Sequence, residues 1–281
     1  MKKIVLPTDF SENSWNAIAY AMQLFQDQEC AFYLFHVYTP VIYHTEYTSV
    51  GPDQLDFVDS VRNASQKRMT ALNAKIQEKF HNANHTIETI ASFDTLNSGI
   101  KNLIAEKHID LLIMGTSGAT GAKEILFGSN TMQVIKDIKC PIIAVPSNFD
   151  YEPPHEILFP TDLQIDYSKA KLNLVQEIAE SHNARVNAMH VSTGYELTEK
   201  QLRNKSDLKS LFNGVGYLFH DIEMMDISEA ISIFQIKHKI NFLVMLNNKR
   251  SFFENLFFQN TISQIGFHMT VPFMIIPSGE L

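Results

Sequence analysis

The sequence has few of the residues that mark specialised classes of protein. Its 281 residues include only two cysteines, Cys30 and Cys140, and no spacing motif accompanies either one. A disulfide framework and a cysteine-based metal or redox site are therefore not expected. Each cysteine instead stands at the start of a predicted buried strand, where it is expected to pack as a small apolar side chain. So few cysteines fit the reducing cytoplasm, which is the location that the sequence predicts.

Long apolar runs and an excess of basic residues are also missing. No run approaches the roughly 18 apolar residues that a membrane helix needs. The proline, threonine and aspartate at 7–9 interrupt the amino-terminal apolar stretch too early for a signal peptide. The formal net charge is −8, and neither half carries the dense Lys and Arg cluster that dominates nucleic-acid affinity. Neither a membrane nor a nucleic acid is an expected partner.

What the sequence has instead is internal repetition. Residues 109–147 align with residues 240–278 without a gap, and the Leu-Pro-Thr-Asp run at 6–9 recurs as Phe-Pro-Thr-Asp at 159–162. A chain of 281 residues with 45% hydrophobic content is long enough for two cores. We therefore predict two tandem domains, with their bounds at 1–147 for the first, 148–154 for a turn-rich linker and 155–281 for the second.

Within each copy, short apolar runs alternate with longer amphipathic segments. This pattern is typical of a parallel sheet covered by helices on both faces, so the predicted fold class is α/β with two doubly wound parallel sheets. Ser11 is the predicted N-cap of the first helix, and Asp94 or Thr95 that of the third. In the first copy we predict strands near 3–7, 31–37, 84–91, 110–114 and 141–145, and helices near 12–27, 53–80, 95–107 and 129–138.

The most informative stretch follows the fourth predicted strand. Its glycines stand at Gly115, Gly118 and Gly128, with Ser129 next, in a G-x2-G-x9-G-S spacing. Small residues after a buried strand expose backbone N–H groups, and a helix that begins near Ser129 directs its N-terminus at the same space. Together they suit an anion, most often phosphate. The spacing fits neither a Walker A loop nor the G-x-G-x-x-G dinucleotide fingerprint, and a plain surface turn is the alternative interpretation.

These residues resemble a known family. The glycine spacing, with Met114 before it and the Cys-Pro-Ile-Ile-Ala-Val-Pro run at 140–146 behind it, resembles the ATP-binding signature of the universal stress protein family. Residues 3–11 and 34–37 resemble that family's first two strands. The resemblance covers 1–147 and, more weakly, 155–278. It implies five strands in the order 3-2-1-4-5 in each domain, the architecture of adenine nucleotide alpha-hydrolase-like proteins.

The resemblance implies an ATP site in the first domain. Ligands of doubly wound sheets lie beyond the carboxyl ends of the strands where the strand order reverses, here between strands 1 and 4. Asp9 follows strand 1 and Gly115 follows strand 4, so two separate motifs converge on one crevice. By resemblance, residues 7–9 approach the adenosine, Val37 the adenine, and the glycine loop the ribose and phosphates. The implied binding residues are Pro7, Thr8, Asp9, Val37, Met114, Gly115, Thr116, Ser117, Gly118, Gly128, Ser129, Asn130 and Thr131.

The second copy lacks the glycine motif. In the gapless register the glycines at 115, 118, 121 and 128 become Leu246, Lys249, Phe252 and Gln259. A side chain at such a position fills the cradle, and at a left-handed residue it costs about 1–2 kcal/mol. We therefore expect the second domain to be a scaffold. The segment that replaces the glycine motif contains four phenylalanines: Phe252, Phe253, Phe257 and Phe258. They are expected to fill the crevice that the nucleotide would occupy in the first copy, to pack against another subunit, or to be buried on a helix face.

The implied ligand is ATP, with ADP or AMP as alternatives, and Mg²⁺ or Mn²⁺ is expected to accompany bound ATP. Phosphoryl transfer needs charge neutralisation and a positioned nucleophile, whereas the loop offers only Lys123 as a cation. Hydrolysis is therefore expected to be slow or absent. An adenylating enzyme of related fold carries a Ser-Gly-Gly-x-Asp-Ser loop after strand 1, which residues 7–11 do not match. A nucleotide-free interaction scaffold remains as the other alternative.

Other expectations concern the surroundings of the site. The last strands of the two copies, 141–145 and 272–276, are apolar edge strands under the implied order, and the resemblance implies that they pair as an internal pseudo-dimer. Two such chains are expected to associate further. Residues 42–52 are a candidate lid over the adenine, and Phe93 is expected to narrow the pocket mouth. His36 is interpreted as a strand-end histidine rather than an acid or base.

Overall fold

The computed structural model divides into two compact units. The described residues up to Cys140 form one unit and those from Pro141 onward form the other. None of the helices in the described part of the chain is long and apolar enough to cross a membrane. The structure describes residues 1–38, 52–116 (the backbone alone at 52–58), 128–167, 172–192, 194–223, 225–247 and 270–277.

The first unit is built on a parallel sheet with the strand order β3-β2-β1-β4. Helix α1 packs against β4, and α2 packs against β3. Every residue of β4 is buried, which is why this strand reads as a continuous apolar run rather than an alternating one. The elements are β1 (Lys2–Pro7), α1 (Glu12–Leu24), β2 (Cys30–Val37), α2 (Pro52–Lys79), β3 (His85–Ser92), α3 (Leu96–Lys107), β4 (Leu111–Gly115) and α4 (Ser129–Asp137).

These elements confirm the predicted pattern of the first copy to within a few residues. Ser11 caps α1 by accepting a hydrogen bond from the Ser14 N–H, as expected. Of the two candidate caps for α3, Thr95 takes the position and accepts from the Ser98 N–H, while Asp94 accepts from the Thr95 N–H at 2.7 Å. Both cysteines are buried, in agreement with their expected packing role.

The second unit has the strand order β5-β10-β9-β6-β7-β8. From β10 to β8 it reproduces the order 3-2-1-4-5 in parallel strands. Strand β5 belongs to the first copy by sequence, yet it pairs antiparallel with β10, with Ile143 opposite Met274. The expected pairing of the two last strands is therefore present. The elements are β5 (Ile142–Val145), β6 (Glu156–Pro160), α5 (Asn173–His182), β7 (Arg185–Ser192), α6 (Glu199–Leu211), β8 (Gly216–Glu223), α7 (Ile227–His238), β9 (Phe242–Asn247) and β10 (Phe273–Pro277).

Helices α3 and α7 end in the same way in the two copies. Their C-caps, His108 and Lys239, have left-handed backbones with φ of 54° and 52°. Both side chains are exposed, so neither contributes core packing that offsets the conformational cost. A non-glycine residue in this region costs about 1–2 kcal/mol, whereas glycine adopts the conformation without a Cβ clash.

We predict that His108→Gly and Lys239→Gly each stabilise the protein by about 0.5–1 kcal/mol, because glycine removes the strain at a helix C-cap. Urea denaturation measures the change in unfolding free energy. The matched control is Glu106→Gly, an exposed site inside α3, which should destabilise by about 1 kcal/mol. Destabilisation by both C-cap variants would show that the left-handed conformation carries no strain.

Candidate functional site

The chain leaves β1 through a turn that its own side chains hold. Thr8 Oγ1 accepts a hydrogen bond from the Phe10 N–H, and Asp9 Oδ1 accepts one from the Ser11 N–H, both at 3.0 Å. Phe10 has a left-handed backbone with φ of 64°. The Thr8 N–H donates to the Phe35 carbonyl at 2.8 Å, so β2 fixes the start of the turn. Asp9 is therefore presented, exposed, at the carboxyl end of β1.

Asp9 is held as a carboxylate. The Ser11 hydroxyl adds a second bond to Oδ1, at 2.5 Å. Burial alone would raise the pKa of Asp9, but the hydrogen bonds from Ser11 and Ser14 outweigh it and lower the pKa below its usual value. Both bonds from Ser11 end on Oδ1, which leaves Oδ2 to other donors. A fixed, ionised acceptor at this place suits a ligand that presents hydroxyl or amino hydrogens.

His36 supports the same turn from β2. Its Nδ1 lies 2.8 Å from the Thr8 carbonyl oxygen, and because a carbonyl only accepts, Nδ1 carries the proton and Nε2 keeps the lone pair of the neutral ring. Burial lowers the pKa of His36, and Arg68 lowers it further, which favours that neutral ring. The interpretation of His36 as a strand-end histidine agrees with this position.

A stack of side chains lies against this turn. The Phe10 ring centroid is 4.5 Å from that of His36 and 4.1 Å from Cζ of Arg68. A cation over an aromatic face contributes about 0.5–1 kcal/mol when exposed. Arg68 was not found by sequence reasoning, because it comes from the solvent-facing side of α2 and carries no local motif.

The two ends of the glycine motif meet in space. The Gly128 N–H donates to the Thr116 carbonyl at 2.7 Å, and the Thr131 hydroxyl donates to the Gly115 carbonyl at 3.1 Å. The loop therefore returns to the point at which it left β4. The residues between these ends, 117–127, lie outside the described structure, and the predicted binding residues Ser117 and Gly118 lie there with Lys123.

Helix α4 begins at Ser129, as predicted, with Gly128 as its N-cap. The N-cap supplies no side-chain hydrogen bond to the first turn, so the cap leaves those backbone N–H groups without an acceptor. Ser129 and Asn130 are exposed, whereas Thr131 is buried and uses its hydroxyl to tie α4 to β4. The start of α4 thus offers donors and a positive dipole end to an anion.

Gly115 packs directly against Asn13 of α1. A Cβ placed on Gly115 would lie 2.3 Å from Nδ2 and 2.6 Å from Cγ of Asn13, closer than such atoms approach. Asn13 Oδ1 is buried and accepts no hydrogen bond from any residue in the described ranges. Gly115 therefore has a packing role that the sequence motif did not reveal, in addition to its predicted approach to a phosphate.

The predicted binding residues that the structure describes lie at the carboxyl ends of β1, β2 and β4 and at the start of α4. Because β1 stands between β2 and β4, these ends share one edge of the sheet. Phe93 is 52% exposed and its ring lies 6.1 Å from that of Tyr38, after the end of β2. The candidate lid at 42–51 and the four phenylalanines at 252–258 lie outside the described residues, and Pro52 begins α2.

The same turn recurs after β6 in the second unit. Thr161 Oγ1 accepts from the Leu163 N–H at 3.0 Å, and Asp162 Oδ1 accepts from the Gln164 N–H at 2.9 Å. Leu163 has φ of 59°, close to the value at Phe10. The Thr-Asp pair thus forms a turn whether or not a glycine motif accompanies it.

The surroundings of the second turn differ from those of the first. Two side chains of α6 donate hydrogen bonds to carbonyl groups of this turn. Gln201 donates to the Asp162 carbonyl at 3.1 Å, and Asn204 donates to the Leu163 carbonyl at 2.7 Å. The hydroxyl oxygen of the buried Tyr167 also lies 2.5 Å from Thr161 Oγ1. Burial raises the pKa of Asp162, the opposite direction to Asp9. The second turn is thus more enclosed and less suited to hold a charged acceptor.

The universal stress protein family profile matches residues 1–146, which is more than half of the chain. The chain belongs to the universal stress protein family. Universal stress protein YxiE of Bacillus subtilis is 26% identical over 144 residues, which cover 51% of this chain and 97% of that one. Universal stress protein MJ0531 of Methanocaldococcus jannaschii is 29% identical over 146 residues, 51% of this chain and 81% of that one.

A solved universal stress protein from Archaeoglobus fulgidus extends the likeness to both units. It superposes with a TM-score of 0.67 over 97% of this chain and 95% of that chain, at 18% identity. At this identity the likeness concerns the fold alone. The second unit therefore has the universal stress protein fold, while the family profile itself matches the first half.

We predict that Gly115→Ala destabilises the protein by about 1–3 kcal/mol, because the new methyl group overlaps the Asn13 amide. Asn13→Ala in the same chain should restore most of this loss, since it removes the atoms that clash. A double-mutant cycle on urea unfolding free energies measures the coupling between the two positions. Additive effects, with no recovery in the double variant, would contradict the packing role assigned to Gly115.

Proposed function

We propose that the first unit of this universal stress protein binds an adenine nucleotide, ATP foremost and ADP or AMP as alternatives, at the carboxyl ends of β1 and β4. The observation that carries the proposal is the closure of the glycine motif by the Gly128–Thr116 hydrogen bond. A loop that leaves a strand and returns to it beside a helix start concentrates backbone donors at one place. That arrangement is the usual basis of phosphate binding.

The phosphates would lie at the start of α4. The N-cap there brings no acceptor to the first-turn amides, and Ser129 and Asn130 are exposed beside them. These donors suit phosphate oxygens. A divalent cation, Mg²⁺ or Mn²⁺, would arrive with the nucleotide. Among the residues of the described ranges, no group of three or more His, Cys, Asp or Glu is placed to hold a metal ion.

The adenosine would lie over the ends of β1 and β2. Asp9 is ionised and has Oδ2 left over from its bonds with Ser11, so it can accept from ribose hydroxyl or adenine amino hydrogens. Val37 ends β2 and is half-buried, which gives the base an apolar contact beside a strand end. The function assigned here is binding and regulation, with ATP hydrolysis slow or absent.

The second unit would serve as a scaffold that binds no nucleotide. Its turn carbonyls are already bound by Gln201 and Asn204, and Tyr167 packs beside Thr161. Strand β10 also pairs with β5, which supports the assignment of the second copy to an internal pseudo-dimer. This pairing uses both last strands, so the proposed dimer of tandem chains would require another surface.

We predict that isothermal titration with ATP gives one site per chain, and that Asp9→Asn weakens binding at least about tenfold, because a hydrogen bond to a charged group contributes about 1.5–3 kcal/mol. Asparagine keeps an oxygen for the Ser11 N–H, so the turn should persist. The matched control is Asp162→Asn in the second copy, which should leave the affinity unchanged. Two sites per chain, or equal losses in the two variants, would contradict the proposal.

A second candidate function is a nucleotide-free interaction scaffold. Two observations favour it: the Thr-Asp turn also forms in the second copy, and Gly115 already has a packing partner in Asn13. Thermal shift with ATP, ADP, AMP and cyclic AMP separates the candidates. Ligand at 100 times its dissociation constant adds about 2.7 kcal/mol of stability, so a flat response to all four nucleotides would favour the scaffold.

A further inference from the structure

A separate cavity of about 540 Å³ lies between β8 and α7 in the second unit. Small-molecule sites are usually about 300–1,000 Å³, mainly apolar, with a few polar groups that converge. Met225, Ile233 and Phe234 contribute apolar wall, and Met225 and Ile233 remain 37% and 47% exposed. The polar residues of the lining are His220, Asp221, Lys237 and His238. The proposed nucleotide function uses none of these residues.

A buried hydrogen-bond network fixes the orientation of His220. Its Nε2 lies 3.0 Å from Oδ1 of Asn187, which is 1% exposed. Asn187 Nδ2 donates to the Glu156 carboxylate at 2.7 Å, so the amide oxygen is the end that faces the histidine. His220 Nε2 must then donate, and the other ring nitrogen, Nδ1, keeps the lone pair of the neutral ring. The network therefore determines which nitrogen of His220 can meet a ligand.

The second imidazole is positioned by stacking. His238 lies parallel to Phe234 with ring centroids 4.0 Å apart, and His220 meets Phe234 edge-on at 4.8 Å. The two histidine rings are 5.4 Å apart. One buried aromatic ring thus holds two imidazoles side by side at the cavity wall.

The charged groups at the cavity differ in whether they have partners. Burial lowers the pKa of His220, which favours its neutral ring. The Glu156 carboxylate is paired with Arg185. The carboxylate at the cavity, Asp221, lies 2.9 Å from Nδ1 of His190. These acidic groups therefore have partners, whereas Lys237 forms no ion pair with any residue in the described ranges and is left to attract an anion.

The first copy has no such charge pattern at the equivalent helix. Helices α3 and α7 begin and end 131 residues apart, so Glu106 stands where Lys237 is, Asn102 where Ile233 is, and Lys107 where His238 is. The exposed apolar Ile233 and the Phe234–His238 stack of α7 therefore have no counterpart of the same chemistry in α3. The two copies share a fold but not this chemistry.

We propose that the cavity between β8 and α7 binds a small organic monoanion with an apolar body. The acidic group would meet Lys237 with the imidazole of His238 beside it, and the apolar body would lie against Met225, Ile233 and Phe234. Nδ1 of His220 carries a lone pair and would instead accept a hydrogen bond from a donor on the ligand. This site is independent of the proposed nucleotide crevice and makes the second unit a ligand-binding domain in its own right.

Two fluorescent probes test the proposal on the full-length chain. They are 8-anilinonaphthalene-1-sulfonate and N-phenyl-1-naphthylamine, which share an aromatic skeleton and differ in the sulfonate. We expect the sulfonate probe to bind one site per chain, more tightly than the neutral probe, and to shift the imidazole NMR signals of His220 and His238. Saturating ATP should not displace it.

Charge reversal within α7 gives the matched comparison. Lys237→Glu installs the charge of the first copy and should weaken the sulfonate probe about tenfold, the loss expected for a hydrogen bond to a charged group. Lys239→Glu makes the same change in net charge two residues away, outside the cavity lining, and should weaken it much less. Unchanged melting temperatures confirm that both variants fold.

Three results would overturn the proposal: equal affinity for the two probes, equal losses in the two lysine variants, or no change in the His220 and His238 signals. Any of them would show that the cavity does not recognise an anion through its cationic wall. None would affect the nucleotide proposal, which concerns the other unit.

Discussion

Each copy of the fold depends on one strained turn. The chain must leave the first strand of the copy and enter the next segment at once, and it does so through a left-handed residue, Phe10 or Leu163. That conformation costs about 1–2 kcal/mol. The threonine hydroxyl and the aspartate carboxylate that precede it each accept a backbone N–H, and bonds of about 1 kcal/mol each offset the strain. The role that the aspartate has in both copies is therefore to stabilise the turn.

The two copies diverge in what packs over this turn. In the first copy Ser11 donates two hydrogen bonds to Asp9, which favour the ionised carboxylate, and the side chain is exposed. In the second copy α6 approaches closely enough for Gln201 and Asn204 to bind the turn carbonyls. The same backbone thus yields an open charged end in one unit and an enclosed end in the other. The proposed nucleotide site therefore depends on the surroundings of the turn as well as on its Thr-Asp pair.

Local signals in the sequence were sufficient to predict the elements, while the strand order that brings their carboxyl ends together came from the family resemblance. Apolar periodicity located the strands, Ser11 and Thr95 marked helix starts, and the glycine stretch predicted that the fourth helix begins near Ser129. Contacts between distant segments were not predictable in this way. Two such contacts depend on how α1 and α2 pack on the sheet. They are the close packing of Gly115 against Asn13 and the stack of Arg68, Phe10 and His36. The cavity beside α7 was missed because its histidines follow no motif and acquire their roles only through Asn187 and Phe234.

Duplication explains why such differences accumulate on one fold. The core of each copy is a set of buried strands, and the exposed positions of α7, such as Ile233 and Lys237, contribute little apolar area to it. Substitutions at those positions therefore change ligand chemistry at little cost in folding. The difference between Glu106 in the first copy and Lys237 in the second fits this view, because both residues are exposed while the flanking strands keep their order. Under the two proposals, the first copy keeps a crevice for an anion at a helix start, and the second copy has a differently built anion pocket beside a helix end.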